Sequence, residues 1–371
     1  MKVLYLTQWY PHRYDNMLGL FVRKHAEAVA VQGVDVCVLF FWHDKKIHSN
    51  QIVFRKTNGV KEVYVYYCSS YFRAVIEGWK YVKTNWGIPD LCQLNVITKN
   101  ALLLLWLKLT NHIPYVVAEH WSAYLPQNEG KGKLSKAHRL LAKLTVKHAA
   151  AVMPVSLALE QGMKKYGLKN NNYIRLYNVV DDFFYSIQKQ PHQPTNILHV
   201  SCFDNEAKNV IGLLRAVGQV SKSRNDFVLT MVGSGQDLDM AKEEAKRLEL
   251  YEKIVFFKGE LQPYQVAEQF ALSDIFVLFS NYENAPVVLS ESMAVGVPII
   301  STNVGGIPQM VDSKTGILIQ PNDEVSLQEA IIYMLDNYSH FSEEYIKEKA
   351  KIYSYQSVGN QLISLYRSIC Q

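Results

Sequence analysis

Two glutamates eight residues apart, Glu283 and Glu291, are the side chains in this sequence with the clearest chemical use. They lie in SNYENAPVVLSE, residues 280–291, between an apolar run at 275–279 and a helical pattern that continues through Ala294. The run predicts a buried strand, and Pro286 suits the first turn of a helix, where its missing N–H costs nothing. Glu283 is therefore expected in the strand-to-helix loop. Glu291 falls about five residues into the helix, roughly 7 Å along its axis at ~1.5 Å per residue. Carboxylates so placed can accept hydrogen bonds from hydroxyls at two points on one elongated ligand. The free amides of the helix's first turn, around Val287 and Val288, offer a site for phosphate. Hexose hydroxyls, a diphosphate and ribose hydroxyls have that layout, which is that of a sugar nucleotide. Two glutamates at this spacing are more often two solvated carboxylates. The strand–loop–helix context is what favours a functional reading.

Short apolar runs alternating with longer helical patterns must position these residues. Strands are expected at 3–7, 35–41, 63–67, 115–118 and 151–155, and again at 197–201, 227–232, 254–257, 275–279 and 298–301. Helices are expected at 21–32, 100–110 and 136–147, then at 210–220, 237–248, 263–271 and 288–295. Continuous rather than alternating apolar strands imply cover on both faces, as in parallel doubly wound sheets. The series starts twice, and the polar stretch QKQPHQPTN at 188–196 reads as the end of an inter-domain connection. The expected fold is α/β: two Rossmann-like domains, 1–185 and 186–352, with ligand-facing loops across a cleft. A closing helix, 353–371, with Tyr355, Val358, Leu362 and Tyr366 as its apolar stripe, packs back across the junction.

At 371 residues the chain exceeds what one core usually supports, in keeping with two domains. With 49% hydrophobic and 20% charged residues it is not a disordered chain. The 23 tyrosines would suit stacking on sugar rings, but most buried aromatics are simply core. A net charge of +5 does not point to nucleic acid. Its distribution says more: Lys131, Lys133, Lys136, Arg139, Lys143 and Lys147 fall within 131–148 with no acid among them and leucines interleaved. Such a helix fits an anionic membrane surface, and equally a solvated helix whose leucines face its own core. Five scattered cysteines without a CxxC pair give neither a disulfide framework nor a zinc site and suggest reduced cytosolic thiols. The sequence enters a strand at Val3 without a signal core, and its most apolar stretch, 101–107, is far short of the ~20 residues a membrane span needs. A cytoplasmic location, with a peripheral place on the inner membrane face as the alternative, is expected.

The spacing Glu283-x7-Glu291, followed by SMAVGVP at 292–298 and GGIP at 305–308, resembles the retaining glycosyltransferases of family 4, which have the two-domain GT-B fold. GILI through Pro321, MVGSG at 231–235, FFKG at 256–259 and NVVD at 178–181 resemble further motifs of that family, in its chain order. The resemblance covers most of 150–325. It implies that Glu283 bonds the donor sugar's hydroxyls, that Glu291 bonds the nucleotide's ribose, and that Asn284, Ala285, Pro286, Val287 and Val288 line the donor. Lys208 would neutralise the diphosphate on which charge builds in the transition state. Read as a lysine at a helix start, it opposes the helix dipole, a misfit that favours such a role. Gly19 resembles the family's glycine loop, where a missing side chain lets backbone approach the ligands, although an ordinary turn glycine fits nearly as well. His120, at a strand end beside Trp121, resembles the cleft histidine that contacts the donor sugar, whereas His25 inside a helix reads as structural.

Three departures stand out. Cys202 replaces an arginine that would be a second phosphate cation, Asn284-Ala285-Pro286 replaces Gly-Phe-Gly and removes an amide, and the glycine loop has one glycine. The resemblance implies sugar transfer with retention from a UDP- or GDP-sugar to a lipid-linked or saccharide acceptor, in surface polysaccharide or glycolipid assembly. The departing phosphate would take the acceptor's proton. No cofactor and no metal are expected, Lys208 and the helix N-terminus serving in place of a divalent cation. Three other readings remain open. A nicotinamide oxidoreductase needs Gly-x-Gly-x-x-Gly, and Leu238 stands where the third glycine would follow Gly233 and Gly235. A nucleotide-sugar epimerase of the same fold would act without an acceptor. A non-catalytic nucleotide-sugar-binding partner subunit would neither hydrolyse nor transfer.

Overall fold

The computed structural model describes residues 1–125 and 134–371. The chain divides into two compact units, Met1–Val179 with Tyr355–Gln371, and Val180–Ser354. In the first unit the order is β1 (Lys2–Thr7), α1 (Leu20–Ala30), β2 (Asp35–His43), β3 (Gln51–Thr57), β4 (Val60–Tyr67), α2 (Tyr71–Asn85) and β5 (Leu91–Asn95). It continues with α3 (Ala101–Asn111), β6 (Tyr115–Glu119), α4 (Lys136–His148), β7 (Ala151–Pro154) and α5 (Leu157–Lys165). The strands form one sheet, β3-β4-β2-β1-β5-β6-β7, parallel except for β3. Asn58 and Gly59, both at positive φ, close the β3–β4 hairpin, the turn chemistry that a two-residue Asn-Gly loop supplies. Right-handed crossovers place α1 on one face and α2, α3 and α4 on the other.

Strands β3 and β5 and helix α2 had no counterpart in the sequence-based expectation. For β5 the reason is visible: its Gln93 and Asn95 are buried polar residues that interrupt the apolar run. Their oxygens find partners in the interior, Gln93 Nε2 donating to Asn95 Oδ1 at 2.8 Å and Tyr366 Oη donating to Gln93 Oε1 at 2.5 Å. Tyr366 and Tyr5 also share a hydroxyl–hydroxyl bond of 2.8 Å.

The second unit contains α6 (Asp182–Ser186), β8 (Thr195–Val200), α7 (Asn205–Lys208), α8 (Val210–Val220), β9 (Phe227–Val232), α9 (Leu238–Arg247) and β10 (Val255–Gly259). It ends with α10 (Pro263–Ala271), β11 (Ile275–Leu278), α11 (Val287–Val295), β12 (Ile299–Thr302), β13 (Gly316–Ile319), α12 (Glu324–Asn337) and α13 (Glu343–Ala350). Its sheet, β10-β9-β8-β11-β12-β13, is parallel throughout. The chain then returns to the first unit as α14 (Tyr355–Cys370). There Val358, Leu362, Ile363 and Tyr366 are buried against the core, and Gly359 lets the helix meet α1: a Cβ on it would stand 2.2 Å from the Ala28 carbonyl oxygen. Tyr355, expected in the stripe, is half-buried and donates to Glu27. Among the described residues no helix is long and apolar enough to cross a membrane.

Candidate functional site

Each sheet reverses its winding once, and side chains after strands flanking that point are the natural ligand contacts of an open α/β sheet. In the second unit the reversal lies between β8 and β11. Lys208 follows β8 and Glu283 follows β11. The two side chains meet: Lys208 Nζ donates to Glu283 Oε1 at 2.5 Å, and Ser280 Oγ donates to the same oxygen at 2.7 Å. Glu283 is buried and Lys208 is 16% exposed along its side chain.

Backbone contacts fix this arrangement. Thr302 Oγ1, on β12, donates to the Ser280 carbonyl at 2.6 Å. The Asn281 amide donates to the Ala207 carbonyl at 2.8 Å, and its side-chain nitrogen to the Glu206 carbonyl at 2.9 Å, latching the Glu283 loop to α7. Gly305, at φ +55, lies so close that a Cβ would stand 1.7 Å from the Glu283 carbonyl oxygen. Gly233, at φ +131, would place a Cβ 1.9 Å from the Ser201 carbonyl oxygen, which seats the β9 loop on the segment leading to Lys208. The glycines of two motifs read from the sequence thus serve close backbone approach within the unit.

Lys208 is the last residue of the four-residue α7 and directly precedes Asn209, the N-cap of α8, so it stands at a helix start as expected. Asn209, in the left-handed conformation, turns the chain and caps α8, its side chain accepting from the Gly212 amide. Pro286 is the N-cap of α11 rather than part of its first turn. It therefore removes none of that turn's donors, and Val287 and Val288 are the first two helical residues, their amides beyond the reach of an intrahelical acceptor. Asn284 and Ala285 are partly exposed just ahead of them. Glu291 is the fifth residue of α11, partly exposed, about 6 Å along the axis from Val287.

Sequence reasoning passed over three polar side chains near this pair: Ser280, Tyr282 and His199. Burial raises the Tyr282 hydroxyl pKa, helped by Asp204, Cys202 and Glu283 nearby. His199 is fully buried at the end of β8, its Nδ1 on the Val277 carbonyl at 3.0 Å and its Nε2 on Ser201 Oγ at 2.7 Å. A histidine in the otherwise apolar ILHV of β8 was the signal available.

In the first unit the reversal lies between β1 and β5, and Gly19 follows β1. Its φ is +64, and a Cβ there would stand 2.2 Å from Trp9's carbonyl carbon and oxygen; the close approach that excludes a side chain is made by the protein's own backbone. His120 follows β6 and stacks on Phe21 at 4.1 Å between ring centroids. Desolvation, then the neighbouring His25, keep its imidazole neutral well below its ordinary pKa. Glu119 beneath it is buried and accepts the amides of Ile97, His120 and Trp121. Burial raises its pKa to about 7 against the opposing effect of those amides. His25 is buried, with Nε2 2.8 Å from the Tyr177 carbonyl, and belongs to the core.

The buried histidines set a pH response. Burial lowers both His25 and His199 to about 4, so the folded chain binds fewer protons than the unfolded chain between there and about 6.5. Their stabilising contribution is present above about 6.5 and is lost as pH falls toward 4. Glu119, raised to about 7, acts oppositely by favouring the fold at the lower end of its window. His120, also lowered, acts in the same direction as His25 and His199, and together they outweigh Glu119, so the melting temperature should fall from pH 6.5 to 4.5. His199→Asn should shallow that slope in a thermal-melt series; an unchanged slope would refute the assignment.

Among the described residues no group of three or more His, Cys, Asp or Glu side chains is placed to hold a metal ion. On α4, Lys136, Arg139, Lys143 and Lys147 are exposed, while Lys131 and Lys133 lie outside the described residues. Of the leucines interleaved with them, Leu140 and Leu144 face solvent rather than the core.

Residues 182–353 match the family model for glycosyl transferases group 1. That stretch is similar to the group 1 glycosyl transferases. It includes every second-unit residue singled out above. Relatives include the N-acetyl-alpha-D-glucosaminyl L-malate synthase of Bacillus anthracis, 25% identical over 239 residues, covering 62% of this chain and 61% of that protein. The putative teichuronic acid biosynthesis glycosyltransferase TuaC of Bacillus subtilis (strain 168) is 24% identical over 367 residues, covering 89% and 88%. Among solved structures, a sucrose-phosphate synthase from Thermosynechococcus elongatus superposes with TM-score 0.78 at 18% identity, over 99% of this chain and 98% of that one. Anabaena HepE in complex with UDP gives 0.75 at 17% identity, over 99% and 100%. The two units thus share the GT-B fold of these proteins, two Rossmann-like α/β domains in one chain.

Proposed function

We propose that the chain transfers a sugar, with retention, from a nucleoside diphosphate donor to an acceptor hydroxyl. The observation that carries this reading is the Lys208–Glu283 pair beside the start of α11, at the winding reversal of the second unit. Glu283 accepts the donor sugar's hydroxyls, and Lys208 turns toward the diphosphate when the donor displaces it from Glu283. The Val287 and Val288 amides take phosphate oxygens, with Asn284, Ala285 and Pro286 forming the wall, and Glu291 accepts the ribose hydroxyls. Gly19 and His120 are proposed as first-unit contacts, the neutral His120 as a hydrogen-bond partner for a sugar hydroxyl. The anomeric C–O bond to phosphate breaks and a glycosidic C–O bond forms on the same face. The acceptor's proton passes to the departing diphosphate, whose charge Lys208 stabilises. No metal takes part, and chelation with EDTA should leave the rate unchanged.

The TuaC relative, named for teichuronic acid biosynthesis, and the solved complex of HepE with UDP support a polysaccharide or glycolipid product and a UDP-sugar donor, GDP being the alternative. The exposed cations of α4 support a lipid-linked acceptor at the cytoplasmic membrane face. A thermal-shift panel of UDP, GDP and their sugar conjugates tests the donor. Ligand at 100 times its Kd adds about 2.7 kcal/mol to stability, and one base should stand out. Glu291→Ala should keep the unliganded melting point and lose most of the nucleotide shift. A full shift in that variant would remove Glu291 from the site.

A further inference from the structure

The outer face of α2, α3 and α4 has an apolar pattern that the fold does not use. Helix α3 buries Ala101, Leu103, Leu104 and Leu107 against the sheet, yet also carries Leu102, Trp106 and Leu109 at i, i+4 and i+7, exposed by 44%, 48% and 77%. An amphipathic helix would have polar residues there. Helix α2 repeats the pattern with Phe72 and Ile76, 67% and 68% exposed, and α4 with Leu140 and Leu144. Between α2 and α3 runs a groove of about 400 Å³ floored by Tyr71, Val75, Trp79 and Leu103. The same three helices carry eight Lys and Arg residues against one acid, Glu77, which Arg73 already pairs.

The geometry points to this face as a bilayer-docking surface: the α2–α3 ridge enters the headgroup–acyl boundary of an anionic membrane while the cations of α4 contact the phosphates around it. Outward aliphatic and aromatic side chains beside a field of one sign match a surface whose anionic layer overlies hydrocarbon. Trp106, 48% exposed, suits the interfacial layer, where an amphipathic ring has its apolar body in lipid and its polar edge in water. The inference rests on the reading above only for its purpose, since a lipid-linked acceptor is why such an enzyme would visit a membrane. It goes further by assigning insertion to α2 and α3, which the cations of α4 alone do not imply.

The test is co-sedimentation of the full chain with phosphatidylcholine vesicles, with and without phosphatidylglycerol, at low and high salt. Wild type should prefer the anionic vesicles. The triple variant Phe72→Ser/Ile76→Ser/Trp106→Ser should bind them about 10-fold or more weakly, and its residual binding should vanish at high salt, as purely electrostatic attachment does. Brominated acyl chains should quench wild-type tryptophan fluorescence, and Trp106→Phe should lose much of that quenching. The nucleotide thermal shift of the triple variant should match wild type, which separates docking from donor binding. Wild-type binding by the triple variant, quenching unaltered by Trp106→Phe, or no vesicle binding by wild type would each overturn the docking face. Vesicle binding without sugar transfer would instead leave the docking face standing and remove the proposed reaction.

Discussion

Lys208→Ala is expected to lower kcat/KM for sugar transfer by about 10²- to 10³-fold, the loss typical of removing one preorganised group at a developing charge. The fold should survive, because Lys208 ends a short helix whose anchors lie elsewhere: Asn205 accepts from Ile211, and the Asn205 amide donates to Asp237. Stability should still fall by roughly 1–3 kcal/mol, because Glu283 would remain buried with its cation removed. Lys208→Ala/Glu283→Gln should recover part of that stability, a neutral amide being less costly to bury than an unpaired carboxylate, and should recover no activity. Steady-state kinetics with paired melting curves read both effects. Near-wild-type turnover by Lys208→Ala would refute the role proposed for the cation.

Gly305→Ala should disable the enzyme from outside the proposed donor contacts. The added methyl would stand 1.7 Å from the Glu283 carbonyl oxygen, a separation no relaxation of a side chain can relieve because the obstacle is backbone. The left-handed φ of +55 adds about 1–2 kcal/mol of its own. Either the 280–286 loop shifts or the unit loosens, and a 1 Å displacement at a reacting centre costs on the order of 10²-fold. Gly259→Ala is the control: its φ is +70 but nothing lies within 4 Å of the new atom, so it should show only the conformational cost and keep its activity. Equal effects for the two substitutions would mean that backbone strain, not the contact with Glu283, governs the loss. Crystals of Gly305→Ala should show Glu283 displaced from Ser280 and Lys208.

Much of this architecture was legible from local pattern. Strands such as β9 and helices such as α8 and α10 coincide with their expected bounds, because a covered parallel strand is a plain apolar run and its helices carry a regular period. Strand β5 was not legible, since its Gln93 is satisfied by Tyr366, a residue 273 positions away. Strand β3 was missed despite the Asn58–Gly59 turn, which is a local signal, because its outer position leaves Gln51, Arg55 and Lys56 exposed. The role of Pro286 was misjudged by one position: where α11 begins depends on hydrogen bonds that the order of residues does not specify.

By itself the sequence determined the residue types that chemistry at this site would need, and the elements carrying them: a glutamate after one strand, a lysine after another, free amides at a helix start. Only the tertiary structure decided that Lys208 and Glu283 touch, that Ser280 shares the same carboxylate oxygen, and that Gly305 holds the backbone of Glu283. The reason is that local preferences act over a few residues, whereas Lys208 and Glu283 stand 75 positions apart and meet only because of where parallel strands fall in the sheet. The same division holds at the surface, where Trp106 reads as one more core residue in an apolar helix until the sheet has taken the opposite side and left it outside.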